Sequence, residues 1–203
     1  MQLFITGTDT NVGKTVVCSW LCLQAGYDYF KPIQTGSGEG RDSPLVSHYS
    51  GAHVYPEAYC YHAPLSPHLA AAAENACIDI RTIQLPPSNR LIIEGAGGVL
   101  VPIHANTMMV DLIGQFNVPV ILVASSRLGM ITHTLLSLEA LRARHLTVLG
   151  VIVSGELNPS SCLAIEHHGK TRVLAELPFL PEVSRASLGA VPLGTTLTSI
   201  MKE

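Results

Sequence analysis

The sequence of 203 residues is poor in charged and aromatic side chains, and these shortages exclude several classes of protein. Charged residues make up only 13% of the chain and the net charge is −3, so no basic surface for nucleic acid is indicated. No apolar run is long enough to span a bilayer, and no basic leader precedes the first apolar segment. We therefore expect neither nucleic acid nor a membrane as a partner. A surface with so little charge also favours an oligomer.

The spacing of the cysteines and histidines indicates neither a metal site nor a catalytic pair. The five cysteines are odd in number, scattered and without a CxxC pair, which is typical of free thiols in a reducing compartment. We therefore expect a cytoplasmic protein. The nine histidines lack metal-ligand spacing, and no Ser-His-Asp or Cys-His arrangement can be inferred. The inventory favours catalysis by positioning and electrostatics over a covalent nucleophile.

The sequence does contain a phosphate-binding motif near its beginning. An apolar run over residues 2–6 leads into GTDTNVGKT, whose last two residues are Lys14 and Thr15, and a helix is predicted from Val16 to Gln24. Strand, glycine-containing loop and helix in this order place backbone N–H groups and a helix N-terminus around an anion. Lys14 adds a charge for the outer phosphates, and the Thr15 hydroxyl is a candidate Mg²⁺ ligand. The motif departs from GxxxxGK[ST] in one respect, because the first glycine is Gly7 and Thr8 follows it.

Further apolar, β-branched runs predict a doubly wound, mostly parallel sheet with helices on both faces. These runs lack the polar alternation of half-exposed strands, which is the pattern of strands buried on both faces. One long helix is predicted between two of them, over Met130–Ala143. Residues 35–65 are rich in Gly, Ser, Pro and Tyr and are predicted mainly as loop. We expect one domain over residues 1–203. The predicted strands are Tyr27–Ile33, Leu91–Ile93, Val118–Ala124, Leu146–Val153 and Val173–Leu177.

Polar residues follow most of the predicted strands, where an open α/β sheet has its ligand crevice. Lys31 stands before a proline, which keeps it extended, and beside a phosphate it would neutralise charge that develops during transfer. Spacing alone fits a surface lysine at a strand end equally well. Glu94 directly follows a buried strand and precedes three glycines, so a metal or a cation is the favoured reason for it. Asp42 has no comparable context, and spacing alone predicts an ordinary loop acid.

Four motifs in this order resemble those of the dethiobiotin synthetase family: GTDTNVGKT, KPIQTG, PLSPH and EGAGGVLVPI. The first is shared by many P-loop proteins, whereas the ordered set is specific and covers most of the chain. The resemblance implies a homodimeric P-loop enzyme that uses ATP, Mg²⁺ and CO₂ to close 7,8-diaminononanoate into dethiobiotin. The implied route runs through a carbamate, which attacks the γ-phosphate of ATP, and a carbamic–phosphoric anhydride, which the second amine closes.

The resemblance also implies roles for individual residues. Lys31 and Lys14 are the implied catalytic lysines, and Thr15, Asp42 and Glu94 the implied metal ligands, which reverses the interpretation of Asp42 from spacing alone. The Leu128–Ile131 turn is expected to meet the substrate carboxylate from the partner subunit. The full set of implied substrate contacts is Thr35, Gly97, Leu128, Gly129, Met130 and Ile131. The implied nucleotide contacts are Asn11, Val12, Gly13, Lys14, Thr15, Val16, Asp42, Glu94, Gly95, Ala96, Gly97, Ser154, Pro178, Phe179 and Leu180.

Three features depart from the family pattern, and they leave alternatives open. Ser154 stands where the family commonly has an Asn that reads adenine, so relaxed base selectivity is expected. The first helix and the segment 70–90 are short, and residues 184–203 match nothing in the family. A ParA/MinD-like ATPase switch is the alternative from another class, although Asp9 stands where those proteins have a second lysine. Another ATP-dependent synthetase of the same fold, or an inactive relative, is the third possibility.

Overall fold

The computed structural model describes residues 1–202, and its elements alternate between strands and helices along the chain. A short 3₁₀ helix also spans Ile80–Thr82. The strands are β1 (Gln2–Gly7), β2 (Asp28–Phe30), β3 (Ile33–Gln34), β4 (Val54–Tyr55), β5 (Tyr59–Cys60), β6 (Leu91–Gly98), β7 (Pro102–His104), β8 (Thr107–Met108), β9 (Val120–Ser125), β10 (Val148–Gly155) and β11 (Val173–Pro178). The helices are α1 (Lys14–Ala25), α2 (Asp42–Ser50), α3 (Pro67–Ala73), α4 (Met109–Phe116), α5 (Met130–Arg142), α6 (Pro159–Gly169), α7 (Arg185–Gly189) and α8 (Thr195–Lys202).

Seven strands form one sheet in the order β11-β10-β9-β1-β6-β2-β4, and all six pairings are parallel. Two small two-stranded sheets, β3 with β5 and β7 with β8, flank it. From β1 the chain goes to β2 and β4 on one side, returns to place β6 between β1 and β2, and then adds β9, β10 and β11 in order on the other side. The strand order therefore reverses beside β1. Ligands of open α/β sheets bind at the carboxyl edge beside such a point.

Both faces of the sheet are covered, as the unalternating apolar strands predict. Phe4 and Ile93 face a core formed with α4, α5 and α6, while Leu3 and Ile92 face a core formed with α1, α2, α7 and α8. These four side chains are fully buried. The doubly wound fold class is therefore confirmed.

One local prediction was wrong and another was incomplete. The predicted strand Tyr27–Ile33 is broken in two, because Pro32 has no N–H for a sheet ladder and separates β2 from β3. Residues 35–65 are mainly loop, as predicted, but they also contain the nine-residue helix α2, which the sequence did not indicate. Only Val46 supplies a buried large apolar side chain to α2, so the helix has little apolar periodicity in its sequence and depends on packing against α1.

The segment that matched no family motif closes the α1 face of the sheet. The Trp20 indole donates to the Val191 carbonyl at 2.7 Å, and the Tyr27 hydroxyl donates to the Met201 carbonyl at 3.0 Å. The Arg185 guanidinium reaches the Ser50 carbonyl at the end of α2. The C-terminal helices thus hold α1 and α2, the two helices whose first residues face the crevice.

Candidate active site

The loop between β1 and α1, residues 8–13, curves around the N-terminus of α1, where Lys14 is the first helical residue. Gly13 has φ 93° and a Cβ there would lie 2.5 Å from the Ser154 hydroxyl oxygen, so both conformation and space require glycine. A Cβ at Gly7 would lie 2.9 Å from the Lys14 Nζ. The Lys14 ammonium therefore turns back over Gly7 and donates to the Asp9 carbonyl at 2.8 Å. The geometry is that of a phosphate-binding loop.

A second lysine lies next to this loop, held by two carboxylates. Lys31 follows β2, Glu94 lies within the neighbouring β6, and Asp42 is the first residue of α2. The Lys31 Nζ is 2.5 Å from Asp42 Oδ2 and 3.0 Å from Glu94 Oε1. The adjacency of β2 and β6 in the sheet thus brings together residues that are 63 positions apart in the sequence.

The Thr15 hydroxyl joins both carboxylates to the phosphate loop. Its oxygen lies 2.9 Å from Asp42 Oδ1 and 3.0 Å from Glu94 Oε1. A hydroxyl has a single proton, so it satisfies only one of these two acceptors at a time. The Thr15 hydroxyl and the two carboxylate oxygens converge on one place, and one carboxylate oxygen has no proton from Thr15. Such oxygen atoms suit Mg²⁺, which binds one or two carboxylates together with phosphate oxygens. Within residues 1–202, no group of three or more His, Cys, Asp or Glu side chains offers a different metal site.

Lys31 and Asp42 hold each other ionised, as the directions of their pKa shifts show. Burial alone would lower the pKa of Lys31, but the attraction of Glu94 and Asp42 outweighs it and raises that pKa. Burial alone would raise the pKa of Asp42, but Lys31 outweighs it and the pKa is lowered. The pKa of Lys14 is lowered to about 8, because burial outweighs the attraction of Glu94. Lys31 is therefore a fixed cation at neutral pH and is unsuited to act as a base.

These groups open into one cleft of about 690 Å³ along the carboxyl edge of the sheet. It is walled on one side by the phosphate loop and on the other by the start of α2 and the PLSPH segment. Eleven of the residues predicted for the site line this cleft: Asn11, Gly13, Lys14, Thr15, Val16, Lys31, Thr35, Asp42, Glu94, Ala96 and Gly97. Gly97 was predicted for both the nucleotide and the substrate. The cleft therefore brings together residues that lie far apart in the sequence and that were predicted to bind the triphosphate, the metal and the substrate.

Comparisons with known proteins agree with this geometry. A family model described as an AAA domain matches residues 1–187. The ATP-dependent dethiobiotin synthetase BioD of Lawsonia intracellularis is 52% identical over 200 residues, covering 98% of each chain. The chain belongs to the ATP-dependent dethiobiotin synthetase family. The BioD protein of Paramagnetospirillum magneticum is 47% identical over 94% of each chain.

Among solved structures, a ParA family ATPase from Chlorobium tepidum TLS has a TM-score of 0.58 at 10% identity, covering 98% of this chain and 96% of that one. A likeness at this identity shows the shared fold alone. The prediction of a dethiobiotin synthetase is confirmed at the level of the family, and the ParA-like alternative is a distant structural relation.

The residues predicted for the base of the nucleotide lie beyond the cleft, on the other side of the phosphate loop. Ser154 is the last residue but one of β10, its hydroxyl lies against Gly13, and it pairs with Leu177 in the neighbouring β11. The Pro178–Leu180 segment, in which Phe179 is exposed, follows directly. Two members of the predicted set do not line the cleft, because Val12 is buried within the loop and Gly95 is buried in β6 against Phe4 and Met109. A base-binding role for this edge remains a prediction for this member of the dethiobiotin synthetase family.

The predicted carboxylate turn, Leu128–Ile131, lies outside the cleft of its own chain. It follows β9 and leads into α5, with Gly129 at φ 92° before the first helical residue. Leu128 is fully exposed, so its side chain has no contact that buries it within residues 1–202. The assignment of this turn to a partner subunit stays a prediction.

Sequence reasoning missed two side chains that hold the predicted acids of the synthetase site. The Tyr29 hydroxyl donates to Glu94 Oε2 at 2.9 Å, and both side chains are buried. Gln34 accepts a hydrogen bond from the backbone N–H of Asp42 at 3.1 Å. Tyr29 carries no motif that could have revealed it, whereas Gln34 lies inside KPIQTG without any role that its spacing could indicate.

Proposed function

We propose that this chain closes 7,8-diaminononanoate with CO₂ and ATP into dethiobiotin, and that the Lys14–Thr15–Lys31–Asp42–Glu94 cluster carries the reaction. As a member of its family the chain is an ATP-dependent cyclo-ligase of biotin biosynthesis. The observation that carries the site assignment is the convergence of two lysines and two carboxylates on one end of the cleft.

Lys14 and the loop from Asn11 to Val16 bind the triphosphate in this proposal. When the triphosphate binds, the Lys14 ammonium leaves the Asp9 carbonyl and donates to the outer phosphates instead. The backbone N–H groups of the loop surround these phosphates. Two lysines and two carboxylates cancel in formal charge, so the protein alone offers no net positive charge to a triphosphate. Thr15, Asp42 and Glu94 therefore hold Mg²⁺, which supplies the charge needed to offset the phosphates.

Lys31 acts on the phosphoryl transfer. One substrate amine adds to CO₂ and loses a proton to form a carbamate, and a carbamate oxygen attacks the γ-phosphorus while the bond to ADP breaks. Attack of the second amine on the carbamate carbon then closes the ring and releases phosphate. An anion approaches an anion in the first transfer, and a cation fixed by Asp42 and Glu94 lowers the barrier without reorganising.

Thr35 and Gly97 face the diamine in this assignment, and the Leu128–Ile131 turn of a second copy completes the site at the substrate carboxylate. Apolar side chains exposed around α5 support a homodimer. Leu128 is fully exposed, and Leu100 and Leu136 are 53% and 59% exposed. A helix N-terminus such as that of α5 suits a carboxylate. Sedimentation of Leu136→Glu should show a monomer where the wild type is a dimer; an unchanged dimer removes this face from the interface.

We also place the chain in the cytoplasm, on the evidence of its five free, scattered cysteines. No helix within residues 1–202 is both long and apolar enough to cross a bilayer.

Phosphate release with Mg-ATP, bicarbonate and 7,8-diaminononanoate tests the proposed activity. Release should depend on the diamine and should match the dethiobiotin formed. Release that is indifferent to the diamine contradicts the synthetase assignment and favours an ATPase switch of the same fold.

A further inference from the structure

Gln34 is a buried amide with both of its polar atoms engaged. The side chain is in β3, is 4% exposed and lines the cleft. Its Oε1 accepts from the Asp42 backbone N–H at 3.1 Å, and its Nε2 donates to the Thr35 carbonyl at 2.6 Å. One partner is a donor and the other an acceptor, so the orientation of the amide is determined by its surroundings.

The two ends of this amide belong to segments that are otherwise anchored separately. The chain around Thr35 is tied to residues 59–64, because the Tyr61 N–H donates to the Gln34 carbonyl and the Gly36 N–H donates to the Ala63 carbonyl, each at 2.9 Å. Asp42 instead begins α2, whose Val46 packs into the core beside α1. The Gln34 side chain therefore bridges the substrate wall of the cleft and the helix that carries a metal-binding carboxylate.

We infer that Gln34 is a positioning residue that couples the diamine site at Thr35 to the Mg-nucleotide site at Asp42. The inference rests on the proposed function for the roles of those two residues. A diamine that orders the chain around Thr35, or a Mg-nucleotide that orders the start of α2, also fixes the Gln34 amide between them. The other segment is then already partly ordered when the second ligand binds. Binding at one site then favours binding at the other, by the same factor in both directions.

Calorimetry measures this coupling directly. The dissociation constant of MgADP is determined with and without saturating 7,8-diaminononanoate, and the ratio of the two constants is the coupling factor. We expect a factor of about five or more in the wild type. Gln34→Met keeps the length of the side chain but neither hydrogen bond, and should bring the factor to within about twofold of one.

Gln34→Glu provides the second variant. Its carboxylate still accepts from the Asp42 N–H but cannot donate to the Thr35 carbonyl, so the coupling should also be lost. This variant decides the question if Gln34→Met does not fold. Gln24→Met is the matched control, because the Gln24 amide donates to the Leu188 and Val191 carbonyls, on the far side of α1. The control should keep the wild-type coupling factor.

A purely structural Gln34 gives a different result. The affinities for MgADP and for 7,8-diaminononanoate then fall in the variants while the coupling factor keeps its wild-type value, and that outcome overturns the inference. A wild type that forms product but has a coupling factor of one also overturns it. A wild type that neither binds the diamine nor releases phosphate in its presence instead contradicts the proposed function.

Discussion

Lys31 is the only cation within residues 1–202 that forms ion pairs with both Asp42 and Glu94, and its replacement by alanine removes both pairs. The Lys31 and Glu94 side chains are 5% and 1% exposed, whereas that of Asp42 is 25% exposed. Breaking a buried ion pair from one side costs about 3–5 kcal/mol, and we expect about 3 because water can reach Asp42. For a domain of this length that is a fall in Tm of about 6–12 °C.

The same substitution removes a cation from the transferring phosphoryl group. Loss of one such stabilising group costs about 10²–10³ in kcat, and Lys31→Ala should lie in this range. Mg²⁺ should return part of the lost stability, because Asp42 and Glu94 then share a cation again. Thermal unfolding with and without Mg²⁺, together with steady-state kinetics, measures both effects.

Lys170→Ala serves as the matched control. Lys170 is an exposed lysine at the end of α6 and belongs to none of the ion pairs within residues 1–202. Its loss should change neither Tm nor kcat. A Lys31→Ala protein that unfolds within about 0.5 kcal/mol of the wild type refutes the argument from burial. A kcat close to the wild-type value removes Lys31 from the proposed mechanism.

Three further predictions concern the same site. Burial lowers the pKa of Lys14 to about 8, so the free protein loses the Lys14 charge as the pH rises through 8, whereas a bound diphosphate keeps Lys14 protonated. The affinity for MgADP should therefore be about tenfold weaker at pH 9 than at pH 7. Equal affinities at the two pH values would contradict this prediction. Tyr29→Phe leaves Glu94 Oε2 without its hydrogen-bond donor and should lower the free energy of unfolding, measured in urea, by about 1.5–3 kcal/mol. An unchanged free energy of unfolding would contradict this prediction. Ser154 offers a base one hydrogen bond, so kcat/KM for ATP over GTP and CTP should differ by less than about a hundredfold, and Ser154→Asn should widen the difference; a larger preference in the wild type contradicts this.

The sequence predicted those parts of the site that come after apolar runs. Lys14, Lys31 and Glu94 each follow or end an apolar run, and parallel strands bring such positions to one edge. Their mutual distances were beyond prediction, since they depend on β1, β6 and β2 being neighbours, which no local pattern encodes. The resemblance to a family, rather than spacing, identified Asp42.

The remaining features depend on tertiary contacts. The helix α2 contains Ser, Pro, His and Tyr with one buried large apolar residue, so its sequence has no helical period to detect. Tyr29 was predicted as strand core, and only the three-dimensional arrangement shows that its hydroxyl reaches Glu94. The C-terminal helices matched no motif because their function is to pack on α1, through backbone carbonyls that carry no sequence signal.

The central claim is that a carbamate oxygen attacks the γ-phosphate of ATP beside Lys14 and Lys31. Supplying the reaction with C¹⁸O₂, before it exchanges with water, tests this most directly. The oxygen that attacks phosphorus leaves with the phosphate on ring closure, so mass spectrometry should find one ¹⁸O in the phosphate for each dethiobiotin formed. Phosphate without ¹⁸O, in a reaction that still makes dethiobiotin, would contradict the proposed mechanism.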